Sequence, residues 1–414
     1  MDKYINRISG LLPNTEKPIS IEANGRNIIV TGMNGCGKTL FLNALFDAIK
    51  RNVEPSNIQQ KNNLQTNIEH YKVLLKRDGI DKVQREQYKD TLAQWETQLD
   101  NMFNVNTIEL EWDNHDNALD KSLQKSLVVN FFEATRQYSN NRPHQQQQQN
   151  TLSKIRSYGK SQQLSQDFST TFEAYLVALL EAGYLAYALR NDSEQKEKVD
   201  LWLGTITNDL QFLFEDESLQ LIYNEKEKVF YINQNDKKPY LLSNLSSGYS
   251  SILKIYIDLL MKVELQEIQP KELSGIVIID EIDAHLHVSL QKKILSFLDN
   301  SYPNVQFIIS THSPFVLQSV NNAVIYDLSK FEQLEDLSLY SYEAIIKGLL
   351  GVTTNSNNLI DIVNELASLT PNIKLNKDRV NELIGKLTLI EDKLDSKSKV
   401  VYLMAQQAID DLGV

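Results

Sequence analysis

Cysteine is nearly absent from this sequence, since Cys36 is the only one among 414 residues. A single thiol excludes an internal disulfide and is typical of a reducing compartment, so we expect a cytoplasmic protein. Long apolar runs are missing as well. Runs such as Ile276–Ile279 fall far short of the roughly 18 residues that a membrane-spanning helix needs, and the first residues lack the apolar stretch of a signal peptide. We therefore expect no membrane partner.

Basic residues are fewer than acidic residues. Lysine and arginine total 42 against 54 acidic residues, which gives a formal net charge of −12. This balance argues against non-specific coating of nucleic acid, although a local basic groove is compatible with it. The hydrophobic fraction of 42% and the charged fraction of 23% exclude a wholly disordered chain. At roughly 150 residues per domain, the length predicts two to three structural units.

Residues 57–102 stand apart because Gln, Asn, Lys and Glu dominate them. Apolar side chains recur there at helical spacing in two stripes, on either side of Asp78-Gly79: Leu64, Ile68, Tyr71 and Leu75, then Tyr88, Leu92, Trp95 and Leu99. The two stripes predict an antiparallel helical hairpin, a short coiled coil. The alternative is two amphipathic helices lying on the core.

The remaining segments follow familiar patterns. Strands are predicted at 28–30, 107–112, 127–132 and 229–232, a helical region at 165–213, and a low-complexity surface loop at 143–149. Residues 376–413 carry a heptad-like apolar series: Val380, Leu383, Leu387, Ile390, Leu394 and Val401. We expect this series to form a terminal helix that packs on a partner or on the protein's own core.

A glycine-rich segment connects the strand at 28–30 to an apolar helical stretch. The segment reads Gly32-Met33-Asn34-Gly35-Cys36-Gly37-Lys38-Thr39 and satisfies the pattern Gly-x-x-x-x-Gly-Lys-Thr. Its glycines allow backbone N–H groups to point at a β-phosphate, Lys38 supplies charge to the β- and γ-phosphates, and the Thr39 hydroxyl reaches Mg²⁺. The helix that begins near Lys38 adds its dipole to the same anion site. The segment is therefore predicted to be a phosphate loop that binds ATP with Mg²⁺.

Two later strands end in polar side chains of matching chemistry. Gly275–Ile279 is a buried strand by composition and leads into Asp280 and Glu281. We expect Asp280 to hold the Mg²⁺ shell and Glu281 to orient or deprotonate the attacking water. The strand at 305–310 leads to His312, which we interpret as a γ-phosphate sensor.

A serine-rich helix start lies between these elements. Leu245-Ser246-Ser247-Gly248 precedes a helical run through Tyr256. Serine and glycine are common helix N-caps, and that interpretation is sufficient for the segment alone. Serine hydroxyls and unpaired N–H groups at a helix start also form an anion site, which is the interpretation that the neighbouring motifs favour.

Taken together, these motifs resemble ABC-type ATPases of the Rad50, SMC and OLD kind. The similarity is greatest to AAA15-like ATPases of bacterial anti-phage systems such as Septu, PARIS, Gabija and some retrons. It rests on Asn34 in the phosphate loop, on Leu245–Gly248 as the signature segment, and on two longer stretches, Asp280–His287 and Phe307–Pro314. It is close over 1–50 and about 240–330. Tyr249 departs from the family pattern, which usually has glutamine or glutamate there.

The resemblance implies an α/β fold, an ABC-type P-loop ATPase head with a central, mostly parallel sheet, a short inserted helical hairpin and a helical C-terminal region. It implies head-to-head dimers in which Ser246, Ser247 and Gly248 of one subunit contact the γ-phosphate bound by the other. Gln137 resembles the glutamine that contacts Mg²⁺ and water. The implied nucleotide contacts of the loop are Asn34, Gly35, Cys36, Gly37, Lys38 and Thr39.

The expected domain organisation follows from these motifs. It comprises an N-terminal ATPase lobe (1–56), the hairpin (57–102), the rest of that lobe with a helical insertion (103–240), a lobe with the signature, Asp-Glu and histidine motifs (241–335), and a helical region for partner or self-association (336–414).

Three functions are compatible with the motifs. The leading hypothesis is an ATP-hydrolysing subunit of an anti-phage defence complex that controls a separate effector protein such as a nuclease. The second is a DNA-repair or chromosome-maintenance ATPase that clamps duplex DNA, for which a basic stripe and salt-sensitive binding are expected. The third is a nucleotide-stabilised scaffold with negligible turnover.

Overall fold

The computed structural model describes residues 4–77, 81–103, 108–138, 151–319, 322–334, 337, 340–349 and 355–411. The predicted low-complexity loop at 143–149 lies outside these ranges. Internal contacts divide the chain into two compact units, Met1–Ile345 and Ile346–Val414. The unit boundary falls about ten residues after the predicted start of the helical C-terminal region.

The strands, in chain order, are β1 (Ile5–Leu11), β2 (Pro18–Glu22), β3 (Asn27–Thr31), β4 (Ile108–Trp112), β5 (Leu127–Phe132), β6 (Gln220–Asn224), β7 (Val229–Asn233), β8 (Tyr240–Leu241), β9 (Ser274–Ile279), β10 (Asn304–Ser310), β11 (Ala323–Asp327) and β12 (Glu332–Leu334). The α-helices are α1 (Lys38–Val53), α2 (Pro55–Leu75), α3 (Lys82–Phe103), α4 (His115–Leu123), α5 (Leu152–Ser161), α6 (Phe172–Arg190), α7 (Ser193–Phe214), α8 (Ser247–Gln266), α9 (Val288–Gln291), α10 (Ile294–Ser301), α11 (Pro314–Leu317), α12 (Tyr342–Gly348), α13 (Asn357–Leu369), α14 (Ile373–Thr388) and α15 (Ser396–Asp410). The strands predicted at 28–30, 127–132 and 229–232 are all present.

A six-stranded sheet forms the centre of the first unit, in the order β12-β11-β3-β10-β9-β5. Every pairing in it is parallel except that of β11 with β12. All residues of β3, β9 and β11 are buried, as expected for parallel strands covered on both faces. The sheet confirms the expected α/β fold, and it brings the carboxyl ends of its parallel strands to one edge.

Two smaller antiparallel sheets accompany the central one. One has the order β2-β1-β4, and its apolar face joins α1 and the central sheet in one buried cluster that includes Ile8, Phe41 and Ile308. The other has the order β6-β7-β8. The β2-β1-β4 sheet packs on α1, the helix that follows the phosphate loop, and holds it against the central sheet.

The predicted pair of helices at 57–102 is present as α2 and α3, which pack against each other. Their contacts include an edge-to-face pair between Tyr71 and Tyr88, with ring centroids 5.8 Å apart, and an ion pair of 2.9 Å between Lys72 and Glu96. Pro55 occupies the first turn of α2, where its missing N–H costs no hydrogen bond. Leu64 and Ile68 are the buried residues of α2.

Helix α8 is the most deeply buried long helix of the first unit, and it carries a fully buried ion pair. Asp258 and Lys262, one helical turn apart, are both 0% exposed. The Asn130 side chain of β5 and the backbone N–H of Phe168 donate to the Asp258 carboxylate at 2.8 and 2.7 Å. These bonds tie the middle of α8 to the central sheet and to the segment before α6.

Within the described ranges, one helical segment, Ser169–Arg190, is long and apolar enough to cross a membrane by length and composition alone. It is an exception to the scarcity of long apolar stretches expected from the sequence. Of its most apolar 18-residue window, 44% is buried inside the protein, and core helices of soluble proteins meet the same criteria.

The C-terminal unit is a three-helix arrangement of α13, α14 and α15 with its own apolar core, which includes Leu366, Leu383 and Tyr402. The single terminal helix expected from the heptad-like series is wrong, because the chain breaks between α14 and α15. The Asp395 carboxylate accepts the N–H groups of Lys397 and Ser398 and starts a new helix there. An N-cap inside the apolar series therefore overrides its periodicity.

Candidate functional site

The glycine-rich segment turns sharply between β3 and α1, as predicted. Gly35 and Gly37 have φ angles of +78° and +96°, in the left-handed region where a side chain is strained. Helix α1 begins at Lys38, directly after Gly37. The loop thus adopts backbone angles that only glycine takes readily, and it leads into a helix N-terminus, which attracts anions.

Lys38 lies at the base of this loop and is only 6% exposed. Its ammonium group donates to the carbonyl oxygens of Gly32 and Met33 at 3.1 and 3.2 Å, and the Cys36 sulfur lies 3.8 Å away. Cys36 is half-buried and packs against the apolar core beneath the loop. The ammonium group is therefore held inside the loop, where it can reach a bound phosphate.

The carboxylate predicted to bind Mg²⁺ meets the phosphate loop directly. The Thr39 hydroxyl donates to Asp280 Oδ2 at 2.7 Å, although the two residues are 241 positions apart. Asp280 is 1% exposed, and its other carboxylate oxygen accepts from the Ser310 hydroxyl. A hydroxyl and a carboxylate side by side are the two protein oxygens that a phosphate-bound Mg²⁺ uses in this class of site. The residues therefore fit Mg²⁺.

Glu281 is the second residue of a tight turn that we call the acidic turn (residues 280–285). Its φ of +46° lies in the left-handed region, which costs a non-glycine residue about 1 kcal/mol or more. Ser310 holds this conformation from one side: its hydroxyl accepts the N–H of Glu281 at 2.8 Å, and its carbonyl accepts the N–H of Ile282 at 3.1 Å. The Glu281 residue is half-buried at the edge of the sheet.

Arg136 is the residue of this site that the sequence analysis missed. It is 8% exposed, and its guanidinium group donates to the carbonyl oxygens of Glu133, Asp280, Glu281 and Ile282 at 2.9, 2.7, 3.2 and 3.5 Å. Burial lowers the pKa of Arg136 to about 10, although the acidic turn opposes this shift. In the sequence, the feature that pointed to Arg136 was its position shortly after the strand Leu127–Phe132 and next to Gln137.

His312 follows β10 and is half-buried at the same edge. Burial and the charge of Lys38 lower its pKa from the usual value, while the carboxylates of the acidic turn act in the opposite direction. The neighbouring Thr311 hydroxyl donates to Asp283 and so links the strand end to the acidic turn.

The signature segment lies at the start of α8. Ser246 and Ser247 are exposed, and the Ser246 side chain makes no capping hydrogen bond. Ser246 therefore occupies the N-cap position of α8 without using its hydroxyl as a cap. The next residue, Gly248, is buried, and a Cβ there would lie 2.3 Å from the carbonyl oxygen of His285. The helix start is thus packed directly on the end of the acidic turn.

Tyr249, which departs from the family pattern, has a local structural role. Its ring stacks on Phe214 with centroids 4.4 Å apart and planes 5° from parallel, and its hydroxyl lies 3.4 Å from the Phe214 carbonyl oxygen. Tyr249 therefore joins the start of α8 to the end of α7.

The structure collects most of the predicted site residues at the carboxyl edge of the central sheet. Lys38, Thr39, Asp280 and His312 meet there around the phosphate loop. Gln137 is exposed and follows Arg136, whose side chain reaches the acidic turn. Its predicted contact with Mg²⁺ stays a prediction.

Comparison with known proteins gives relatives that agree with these motifs. The chain is 38% identical over 92 residues to the "Retron Vc95 probable ATPase" of Vibrio cholerae serotype O1 biovar El Tor, which is 22% of this chain and 18% of that protein. It is 30% identical over 175 residues to the "Septu protein PtuA" of Bacillus mycoides strain KBAB4, which is 40% of this chain and 24% of that protein. The matches therefore span less than a quarter of either relative's own length.

Among solved structures, the SMC head bound to the C-terminal winged-helix domain of ScpA is similar over 81% of this chain and 98% of that chain, at 12% identity and a TM-score of 0.37. The sequence family described as "AAA domain, putative AbiEii toxin, Type IV TA system" matches residues 78–318. Septu and retron proteins, both named in the resemblance, are thus among the relatives. Since the matched family covers more than half of the chain, the protein belongs to this AAA-domain family.

Proposed function

We propose that this protein is the ATP-binding and ATP-hydrolysing subunit of a cytoplasmic bacterial anti-phage defence complex. In this proposal, ATP drives head-to-head dimerisation, and the dimer controls a separate effector such as a nuclease. The names of the relatives, a retron ATPase and a Septu protein, support the defence setting.

The 2.7 Å hydrogen bond between Thr39 and Asp280 carries the ATPase part of the proposal. It joins the phosphate loop to the carboxylate that would hold Mg²⁺, with Lys38 on one side and Glu281 on the other. When bound, Mg²⁺ supplies charge neutralisation at the β- and γ-phosphates. Glu281 would then orient the attacking water or accept its proton.

The exposed hydroxyls of Ser246 and Ser247 support the dimer part of the proposal. They stand at the start of a buried helix, where N–H groups and the helix dipole favour an anion. A γ-phosphate bound by a second subunit supplies such an anion, so ATP favours the closed dimer and hydrolysis removes the contact.

Sedimentation velocity with and without ATP and Mg²⁺ tests the dimer, using a Glu281→Gln background to keep ATP intact. We expect ATP to convert monomer to dimer in that background. Adding Ser246→Arg should abolish the ATP-dependent dimerisation. It should not greatly lower ATP affinity, because the arginine side chain is added at the start of α8 and not in the phosphate loop. Ser193→Arg, at the exposed start of helix α7, is the matched control and should still dimerise. Self-association that is unchanged by ATP and by Ser246→Arg would contradict this part of the proposal.

Plating of phage on cells that carry the native locus tests the defence role. We expect Lys38→Ala to remove protection, so that plating efficiency rises to that of cells without the locus. Protection that survives Lys38→Ala would contradict the proposal. Protection that is lost in Lys38→Ala but survives in Glu281→Gln would favour the nucleotide-stabilised scaffold. Salt-sensitive binding of a DNA duplex by the ATP-bound protein would instead favour the DNA-clamping ATPase.

A further inference from the structure

The acidic turn is built on a backbone that needs outside support. Glu281 is a non-glycine residue at φ +46°, and such conformations persist when the surroundings hold them. Ser310 supplies two of the required bonds, to the N–H groups of Glu281 and Ile282. The carbonyl oxygens of the same stretch form a second hydrogen-bonding side of the turn, which accepts from another residue.

Arg136 occupies that second side. The carbonyl oxygens of three successive residues, Asp280, Glu281 and Ile282, accept from its guanidinium group at 2.7, 3.2 and 3.5 Å. A guanidinium is planar with five donors in a fixed arrangement, so several carbonyls bound to one group cannot move independently. The bond to the Glu133 carbonyl at 2.9 Å anchors the arginine itself just beyond the end of β5.

We propose that Arg136 is a positioning residue, which clamps the backbone of the acidic turn so that the Glu281 carboxylate and the Asp280 oxygen keep the orientation that ATP hydrolysis requires. This inference rests on the proposed ATPase function. Arg136 does not have to touch nucleotide in this role. Its guanidinium binds backbone carbonyl oxygens of the turn, whereas Thr39 of the phosphate loop binds the side-chain carboxylate of Asp280.

Substituting Arg136 distinguishes positioning from a general loss of structure. Arg136→Met keeps most of the apolar stem and removes every donor. We expect the kcat for ATP to fall at least about tenfold. Displacing a catalytic group by about 1 Å can lower the rate by up to roughly a hundredfold. The KM for ATP should change less than about threefold, because the phosphate loop remains intact. Arg136→Lys retains one charged donor group and should give an intermediate kcat.

Arg156→Met is the matched control. Arg156 is also partly buried and donates to the Tyr175 hydroxyl at 3.0 Å, but it lies in the helical region at 152–161. We expect its loss to leave kcat unchanged. Equal effects of Arg156→Met and Arg136→Met on kcat, or an Arg136→Met variant with wild-type kcat, would overturn the proposal.

Hydrogen exchange separates this inference from the ATPase proposal. In the full-length protein, the amides of Glu281 and Ile282 should exchange faster in Arg136→Met and, to a smaller extent, in Arg136→Lys, but not in Arg156→Met. This measurement applies even if the wild-type protein shows no turnover, in which case the ATPase proposal fails and the clamp is judged by exchange alone. Unchanged exchange over 280–285 in both Arg136 variants would overturn the clamp.

Discussion

The carbonyl oxygen of His285 lies 2.3 Å from the point where a Cβ on Gly248 would stand. The start of the signature helix and the end of the acidic turn are therefore in contact within one chain, backbone against backbone. The two segments lie on one surface here, with the exposed Ser246 and Ser247 immediately before the contact. A displacement of either backbone would displace the other.

Gly248→Ala should destabilise the protein and slow ATP turnover. The added methyl forces the His285 backbone away. Overpacking of this kind lowers the free energy of unfolding by about 1–3 kcal/mol. Gly204→Ala is the matched control, because an added Cβ there meets nothing within 4 Å inside α7. The control should gain roughly 0.5–1 kcal/mol in the free energy of unfolding. Urea denaturation and steady-state ATPase assays measure both, and a fully active Gly248→Ala variant would contradict the coupling.

Lys38→Ala and Glu281→Gln should separate ATP binding from hydrolysis. Lys38 is held inside the phosphate loop, so its removal should abolish measurable nucleotide binding. Glu281→Gln keeps the size of the side chain but removes the base, so binding should persist while kcat falls by about 10²-fold or more. Titration with nucleotide and steady-state phosphate release provide the two readouts. Full turnover in Glu281→Gln would remove Glu281 from the catalytic role.

Cys36 offers a chemical probe of the phosphate loop. Its sulfur lies 3.8 Å from the Lys38 ammonium group, so an attached maleimide would occupy the phosphate site. We expect one label per chain, slower labelling in ATP, and loss of ATPase activity on labelling. Cys36→Ser should remain active and resist the reagent. Intact-mass measurement gives the stoichiometry, and equal labelling rates with and without ATP would show that the thiol faces away from the nucleotide.

The stability of the C-terminal unit should depend on pH through Asp395. Burial raises the pKa of this carboxyl, but hydrogen bonds from Ser398, Asn355 and two backbone N–H groups outweigh it and lower the pKa to about 2. Because the folded pKa lies below the unfolded value of about 3.9, the carboxylate stabilises the unit above about pH 4 and that stability is lost as the pH falls towards 2. Hydrogen exchange of α15 across this range measures the loss.

Asp395→Ala should remove this pH dependence and destabilise α15 by about 1 kcal/mol through loss of the N-cap. Asp361→Ala, an exposed position on α13, is the control and should keep both the stability and the pH dependence. An acid transition of α15 that is the same in all three proteins would rule out Asp395 as its origin.

The sequence alone predicted the parts of this molecule that depend on local pattern. The phosphate loop, the strand that leads into Asp280 and the helix opened by the segment Leu245–Gly248 are all present, because each combines glycine or apolar runs with short spacing. Arg136 was missed because its contacts lie about 145 residues away and involve backbone carbonyls, which leave no trace in a residue pattern. The break at Asp395 was missed because the apolar period continues through it.

The central sheet also determines when the site can form during synthesis. Strand β3, which carries the phosphate loop, lies between β10 and β11, and the Phe307 N–H donates to the Asn27 side chain across 280 residues. At about 5–20 residues per second, the ribosome needs roughly 15 to 60 seconds to deliver that partner. For that time Ile28, Ile29 and Val30, the apolar centre of β3, lack the neighbouring strand that covers them. The proposed ATP site is therefore complete in a nascent chain only after almost all of the first unit has left the ribosome.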